Sequence, residues 1–278
     1  MVKIFLTVRN RLAITKKCIT AIQKHSTMPY QLYVYDNQTN YKLEEHFTYF
    51  SNLYEKGLIT QITFNTDAST FNAFSKAASC NMFGLLHQQD PEKKKYSFLL
   101  ILDNDIILTP EWDRKLATAW KHVRKNSLNN IKVIGQSPGG IKGKKTVINI
   151  NKELSGRTGI LGGSGLWGVQ PNFFEDVGLL NLATLVGHDK KHDQQYWQLL
   201  ERSAKGKPYI LALDTKLGIH CGKMSGSVCN RLTRNRNKSE KEKLELIKFV
   251  EAEKKIDSLN FDEFYKLIHN DKSLVSDW

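Results

Sequence analysis

Apolar and polar positions along this chain follow two periods that take turns. Lys3–Val8 (KIFLTV) is a run of β-branched and aromatic residues and predicts a strand. From Leu12 to His25 the apolar residues Leu12, Ile14, Cys18, Ile19 and Ile22 recur at helical spacing. Gln31–Tyr35 (QLYVY) predicts a second strand, stopped by the turn formers Asp36-Asn37-Gln38-Thr39-Asn40. A helix over 41–56, a strand over 59–64 and a helix over 71–86 follow, then a charged loop, 87–95. Tyr96–Leu102 (YSFLLIL) is almost wholly apolar, as a central strand covered on both faces should be. Thr109 and Pro110 have the character of an N-cap and first helical position, opening a helix to Arg124. A strand is expected at 132–135.

Strands alternating with helices in this way predict an α/β fold, a mostly parallel sheet with helices on both faces. Such sheets bind ligands outside the carboxyl ends of their strands. The polar clusters Arg9-Asn10, Asp36-Asn37 and Asp103-Asn104-Asp105 all fall at those ends and are expected to converge. Past residue 145 the pattern is irregular. A glycine-rich stretch (Gly162, Gly163, Gly165, Gly168) precedes a helix over 193–204, a strand over 209–213 and the segment Leu217–Gly222. The basic linker Asn230–Lys238 leads to two helices, 239–256 and 261–269, the first with Leu244, Ile247 and Val250 on one face. The expected division is a main domain, 1–222, and a basic linker with a helical extension, 223–278.

Composition narrows the classes. Hydrophobic residues make up 40% and charged residues 25% of 278, the balance of a globular protein with a real core. No run approaches the roughly 18 apolar residues of a membrane-spanning helix, and MVKIFLTVRN lacks the design of a secretory signal. Cys18, Cys80, Cys221 and Cys229 have neither metal-site spacing nor the density of a disulfide framework, so a reduced, cytoplasmic protein is expected. The charge is less ordinary: 41 Lys+Arg against 28 Asp+Glu, net +13. Either the chain meets a polyanion, such as nucleic acid, or this is a heavily solvated surface; charge alone does not choose.

The sharpest chemical signal is Asp103-Asn104-Asp105 at the end of the apolar strand. Two carboxylates there can hold a hard divalent cation, Mn²⁺ or Mg²⁺, which takes oxygen ligands and leaves room for substrate phosphates. The cation would offset the charge that builds on a departing diphosphate. As a bare tripeptide the pattern also suits a polar loop start.

In order and spacing, several segments together resemble the family 2 glycosyltransferases of GT-A fold. They are KIFLTVRNRLAITKKCITAI, QLYVYDNQT, YSFLLILDNDIILTPEW, GGSGLWGVQPNFFEDVGLL, HDQQYWQLLERSAKG and LGIHCG, covering residues 1–222. The resemblance implies a nucleotide-diphosphate sugar donor, most simply a UDP-sugar. It places Thr7, Arg9 and Asn10 against the nucleotide, Asp36 on the base, and Asn72 and Lys76 toward the diphosphate. Asp103 and Asn104 belong to the donor site, and Asp103, Asp105 and His220 are the implied metal ligands. Gly163, Ser164 and Trp167 resemble the acceptor-side loop, where glycines admit a sugar and an indole stacks on it. The family's acidic general-base motif is replaced by Gly187-His188-Asp189-Lys190-Lys191-His192-Asp193. Asp189 and Asp193 compete for the role of base, and Asp193 is the better placed, just ahead of a helix.

Each residue also has a plainer reading: Asp36 as a turn former, Lys76 as a solvated helix lysine, Asp193 as an N-cap, His220 and Trp167 as core residues. Two function classes stand: an inverting glycosyltransferase, or a nucleotide- or nucleic-acid-binding protein with a degenerate site. For the transferase, the net charge and the Arg231/Arg234/Arg236/Lys238 run point to a polyanionic acceptor, a hydroxymethylated pyrimidine in DNA. A saccharide or peptide acceptor is the alternative.

Overall fold

The structure, a computed structural model, describes residues 1–37, 39–65, 76–136, 145–160, 165–180, 198–225 and 240–275. Alternating elements occupy the first half: β1 (Val2–Val8), α1 (Leu12–His25), β2 (Tyr30–Asn37), α2 (Leu43–Glu55), β3 (Gln61–Asn65), α3 (Lys76–Gln88) and β4 (Phe98–Asp103). Next come β5 (Ile106–Leu108), α4 (Trp112–Lys125), β6 (Val133–Gln136), β7 (Val147–Asn149), β8 (Ser155–Gly159), β9 (Leu166–Val169) and α5 (Phe173–Val177). Helical residues 198–203 (α6) precede β10 (Ile210–Leu213), β11 (Gly218–His220) and the single turn α7 (Gly222–Ser225). The helices α8 (Glu240–Ser258) and α9 (Phe261–Asn270) follow.

Nine strands form one sheet in the order β3-β2-β1-β4-β9-β6-β10-β8-β7, while β5 and β11 form a separate two-stranded ribbon. Seven of the nine run the same way and only β8 and β9 are reversed, so the sheet is mostly parallel as expected. Its central strands are apolar on both faces because both are covered. On β4, Phe98, Leu100 and Leu102 join one core while Leu99 and Ile101 join the other. That is the two-residue alternation of a strand expressed as two cores. The first core lies under α1 and α4, the second under α3 and α5.

The C-terminal helices pack on the outer side of α1. Ile256, Phe264 and Ile268 are buried in the same core as β1, and Lys16–Asp257 and Lys24–Asp262 pairs stitch the seam at 2.9 Å each. Asn260 and Glu263 close a reciprocal capping box that starts α9.

Two local expectations change. Thr109 is not the N-cap of α4: Glu111 holds that position at φ 61, and no side chain caps the helix. The Thr109 hydroxyl instead donates to the Lys216 carbonyl at 2.9 Å, tying the end of β5 to the segment that leads into β11. The irregular second half also contains β7, β8 and β9. β8 is a run of small and polar residues, SGRTG, and its place in the sheet depends on β10, about fifty residues on in the sequence.

Candidate active site

Register brings the polar strand ends into one row. Thr7 on β1 pairs with Tyr35 on β2 and Asp103 on β4, and Val8 pairs with Asp36. Alternation then sends neighbouring positions to opposite faces. Thr7 shares a 2.9 Å hydroxyl contact with Ser79 of α3, whereas Asp36 meets His46 of α2 on the other side, Oδ2 to Nδ1 3.4 Å.

The Asp103-Asn104-Asp105 turn is held from three directions. The Asp103 N–H donates to the Gly165 carbonyl at 2.9 Å. Asn104, buried, donates through Nδ2 to the Thr15 hydroxyl at 2.7 Å and more weakly to the Asn10 carbonyl at 3.4 Å. The Asp105 carbonyl accepts the Cys221 N–H at 2.8 Å. Because β5 pairs antiparallel with β11, His220 sits opposite Ile106 and its ring reaches the acidic turn, Nε2 to Asp105 Oδ2 3.3 Å. The same oxygen accepts from Arg11 Nη1 at 2.6 Å. Burial alone would raise the Asp105 pKa; the His220 hydrogen bond and the Arg11 charge outweigh it and bring the group down to about 2.

Arg11 escaped the sequence reading, which favoured Arg9. The missing signal was conformational: Asn10 and Arg11 both adopt left-handed backbone, φ 51 and 57, which turns the Arg11 side chain back over the strand end. That turn is over-determined. The Asn10 N–H donates to Thr39 Oγ1, and Asn10 Oδ1 accepts the N–H groups of Asn40 and Tyr41.

Asp36 is 2% exposed and does turn work: its Oδ1 accepts the Thr39 N–H at 2.9 Å. Its Oδ2, next to His46, has no hydrogen-bond partner among the described residues. Trp167 lies on β9 opposite Ile101, 2% exposed in the second core, where a sugar face does not reach it. Lys76 opens α3, and its side chain is not among the described ones. Asn72, Gly163, Ser164, Asp189 and Asp193, and the Arg231–Lys238 run, lie outside the described residues. The structure thus gathers Thr7, Asn10, Asp103, Asn104, Asp105 and His220, with Arg11 added.

The donor set suits a divalent cation. Asp105 Oδ2 and His220 Nε2, hydrogen-bonded at 3.3 Å, stand close enough together to share one cation once the imidazole nitrogen gives up its hydrogen. Gly222 keeps the space beside them clear: a Cβ there would lie 2.7 Å from His220 Nε2 and 3.2 Å from Asp105 Oδ2. Among the described residues no three His, Cys, Asp or Glu side chains form a ready-made cage. A cation bound at Asp105 and His220 would need further ligands, from phosphate oxygens and water.

No protein-family model matches the chain, and no curated protein matches it. Solved structures do. The structure of GalNAc-T7 with UDP, GalNAc and Mn²⁺ is similar at a TM-score of 0.51 and 12% identity, over 77% of this chain and 42% of that one. S. aureus TarS is similar at 0.48 and 10%, over 90% of this chain and 43% of that one. The mannosyltransferase PcManGT from Pyrobaculum calidifontis, in complex with GDP-Man and Mn²⁺, is similar at 0.46 and 9%, over 97% and 79%. The chain spans less than half the length of the first two. At such identities the likeness concerns architecture, and the architecture is the GT-A fold of the glycosyltransferases.

Proposed function

We propose that the protein is a metal-dependent, inverting glycosyltransferase that moves a sugar from a nucleotide-diphosphate sugar, a UDP-sugar, to an acceptor hydroxyl. The observation that carries this reading is the Asp105–His220 pair at the carboxyl edge of a GT-A sheet, with Gly222 leaving its space open. When bound there, Mn²⁺ or Mg²⁺ supplies charge neutralisation to the leaving diphosphate.

The chain's own residues do the rest. Asp103, Asp105 and His220 would hold the cation, with Asp103 also on the donor side of the same turn. Arg11, already 2.6 Å from Asp105, brings a guanidinium that suits phosphate oxygens. Thr7, Arg9, Asn10 and Asp36 line the nucleotide end, with Asn72 and Lys76 toward the diphosphate. Asp193, or Asp189 in its place, takes the acceptor proton as the acceptor oxygen bonds to the anomeric carbon and the bond to the diphosphate oxygen breaks in line. Gly163 and Ser164 belong to the acceptor side.

For the acceptor, we propose a hydroxymethylated pyrimidine in DNA; its support is the net charge of +13 and the phosphate contacts such a surface favours. The three described cysteines are buried free thiols, in keeping with a reduced, cytoplasmic setting. No helix among the described residues is long and apolar enough to cross a membrane. A screen of UDP-, GDP- and TDP-sugars for donor hydrolysis tests the donor: Mn²⁺-dependent turnover of a UDP-sugar is expected. Tight nucleotide binding with no turnover on any donor would favour the non-catalytic reading. Duplex DNA retention at about 50 mM salt that falls steeply as salt rises tests the acceptor. No retention would turn the search to saccharides or peptides.

A further inference from the structure

Helix α8 carries a buried carboxylate, Glu253, 4% exposed. Its Oε2 accepts the N–H of Ala13 at 2.9 Å across 240 residues of sequence. Ala13 is the second residue of α1, and its amide is one of those that a helix start leaves without an intrahelical partner. No cap comes from the adjoining chain, because Arg11, in the N-cap position, has left-handed backbone and caps nothing with its side chain. A carboxylate at that end also suits the helix dipole. The cap is thus supplied by the C-terminal helix, two residues from the guanidinium that meets Asp105.

The surroundings make this cap more than a fastening of α8. The Asn10–Arg11 turn is bonded on one side to the Thr39–Tyr41 loop after β2, and Asn104 of the acidic turn bonds to Asn10 and Thr15. The start of α1 therefore touches both halves of the strand-end row, and Glu253 sits behind it. Burial pushes the Glu253 carboxyl up, with the Ala13 N–H and the Arg11 and His46 charges opposing that rise. Its Oε1 has no hydrogen-bond partner among the described residues. It also lines a cavity of about 250 Å³ with Leu12, Ala13, Lys16, Tyr41 and Lys42.

We propose that Glu253 is a positioning residue of the donor site: by capping α1 it sets the Asn10–Arg11 turn and so holds the Arg11 guanidinium at Asp105. The proposal rests on the donor-site reading above. The C-terminal helix then completes the site from behind without touching the donor.

The experiment measures Mn²⁺-dependent UDP binding by calorimetry, donor KM and kcat, and melting temperature. It uses the full chain and the variants Glu253→Ala, Glu253→Gln and Asp257→Asn. Asp257→Asn weakens the Lys16 pair on the same helix and leaves the cap in place. Glu253→Ala is expected to weaken UDP binding about 10-fold, through a misplaced Arg11. Donor KM should rise more than kcat falls. Glu253→Gln, whose amide oxygen still accepts from Ala13, should restore most of the affinity, and Asp257→Asn should keep the wild-type value at whatever melting temperature it shows. Should the alanine variant not fold, Glu253→Asp withdraws the carboxylate by one methylene and is read in the same way. Unchanged UDP affinity in folded Glu253→Ala or Glu253→Asp, with only the melting temperature lowered, overturns the proposal. Wild-type protein that binds no nucleotide overturns the donor-site reading, and this proposal with it.

Discussion

His220 Nε2 stands 3.3 Å from Asp105 Oδ2. The two residues are brought together by a three-residue antiparallel ribbon in which His220 faces Ile106. The ribbon lies apart from the main sheet yet starts one residue after the acidic turn, so pairing of β5 with β11 sets His220 beside the carboxylate. The donor chemistry proposed for this chain depends on that pairing more than on the acidic tripeptide alone.

Asp105→Ala is expected to lower sugar transfer by roughly 100- to 1,000-fold, the usual effect of losing one group that stabilises developing charge. His220→Ala should cost less, about 10- to 100-fold, with the larger part recovered at high Mn²⁺. Steady-state rates over a Mn²⁺ titration check both.

Arg11→Met tests the guanidinium. It leaves the Asp105 carboxylate, 9% exposed, with His220 alone on Oδ2, so the loss should stay below the roughly 3 kcal/mol of a buried charge left wholly unpaired. A dication bound to Asp105 should return much of that loss. The melting temperature of Arg11→Met should therefore rise with added Mn²⁺ by more than that of the wild type. Equal shifts in the two proteins would contradict the assignment of Asp105 as a ligand.

Asp193→Ala should lower kcat by about 100- to 10,000-fold, the range for a lost general base, with UDP affinity unchanged. Asp189→Ala should do far less. The reverse ranking moves the base to Asp189; pre-steady-state transfer with saturating donor separates the two.

At the opposite end of the sheet, Lys3 is 1% exposed and meets Asp90 at 2.5 Å, with the Tyr96 hydroxyl donating to the same carboxylate oxygen at 2.9 Å. Burial would raise the Asp90 pKa, but the hydrogen bonds from Lys3, Glu92 N–H and Tyr96 and the Lys3 charge carry it below its ordinary 3.8. A carboxyl whose folded pKa is depressed stabilises the fold above its unfolded value, and that contribution is lost as pH falls through the folded one. Stability should thus decline below about pH 4, and Lys3→Met should flatten that part of the decline while lowering stability at pH 7. Urea midpoints between pH 2.5 and 7 check this.

Much of the fold was legible because its first half is locally consistent. KIFLTV, QLYVY and YSFLLIL became β1, β2 and β4 with ends shifted by one or two residues, Asp36 and Asn37 closing β2 rather than following it, and α1 begins at Leu12 as its apolar period indicates. The acidic turn and Asp36 were legible as strand ends for the same reason. What was not legible depends on distant partners. SGRTG forms a strand only beside β10 and β7. Arg11 reaches the site only through two left-handed residues that neighbouring side chains hold in place. Trp167, whose glycine-rich surroundings suggested a sugar platform, alternates inward on β9 and packs in the core. Glu253 is one acid among many on a Lys/Glu-rich helix until its carboxylate is seen on the Ala13 amide.

The most direct test of the central claim is calorimetric titration of UDP into wild-type and Asp105→Ala protein, each with and without Mn²⁺. UDP binding that needs Mn²⁺ in the wild type and vanishes in the variant is the predicted result. Binding of equal strength in both proteins, indifferent to the cation, would contradict the account.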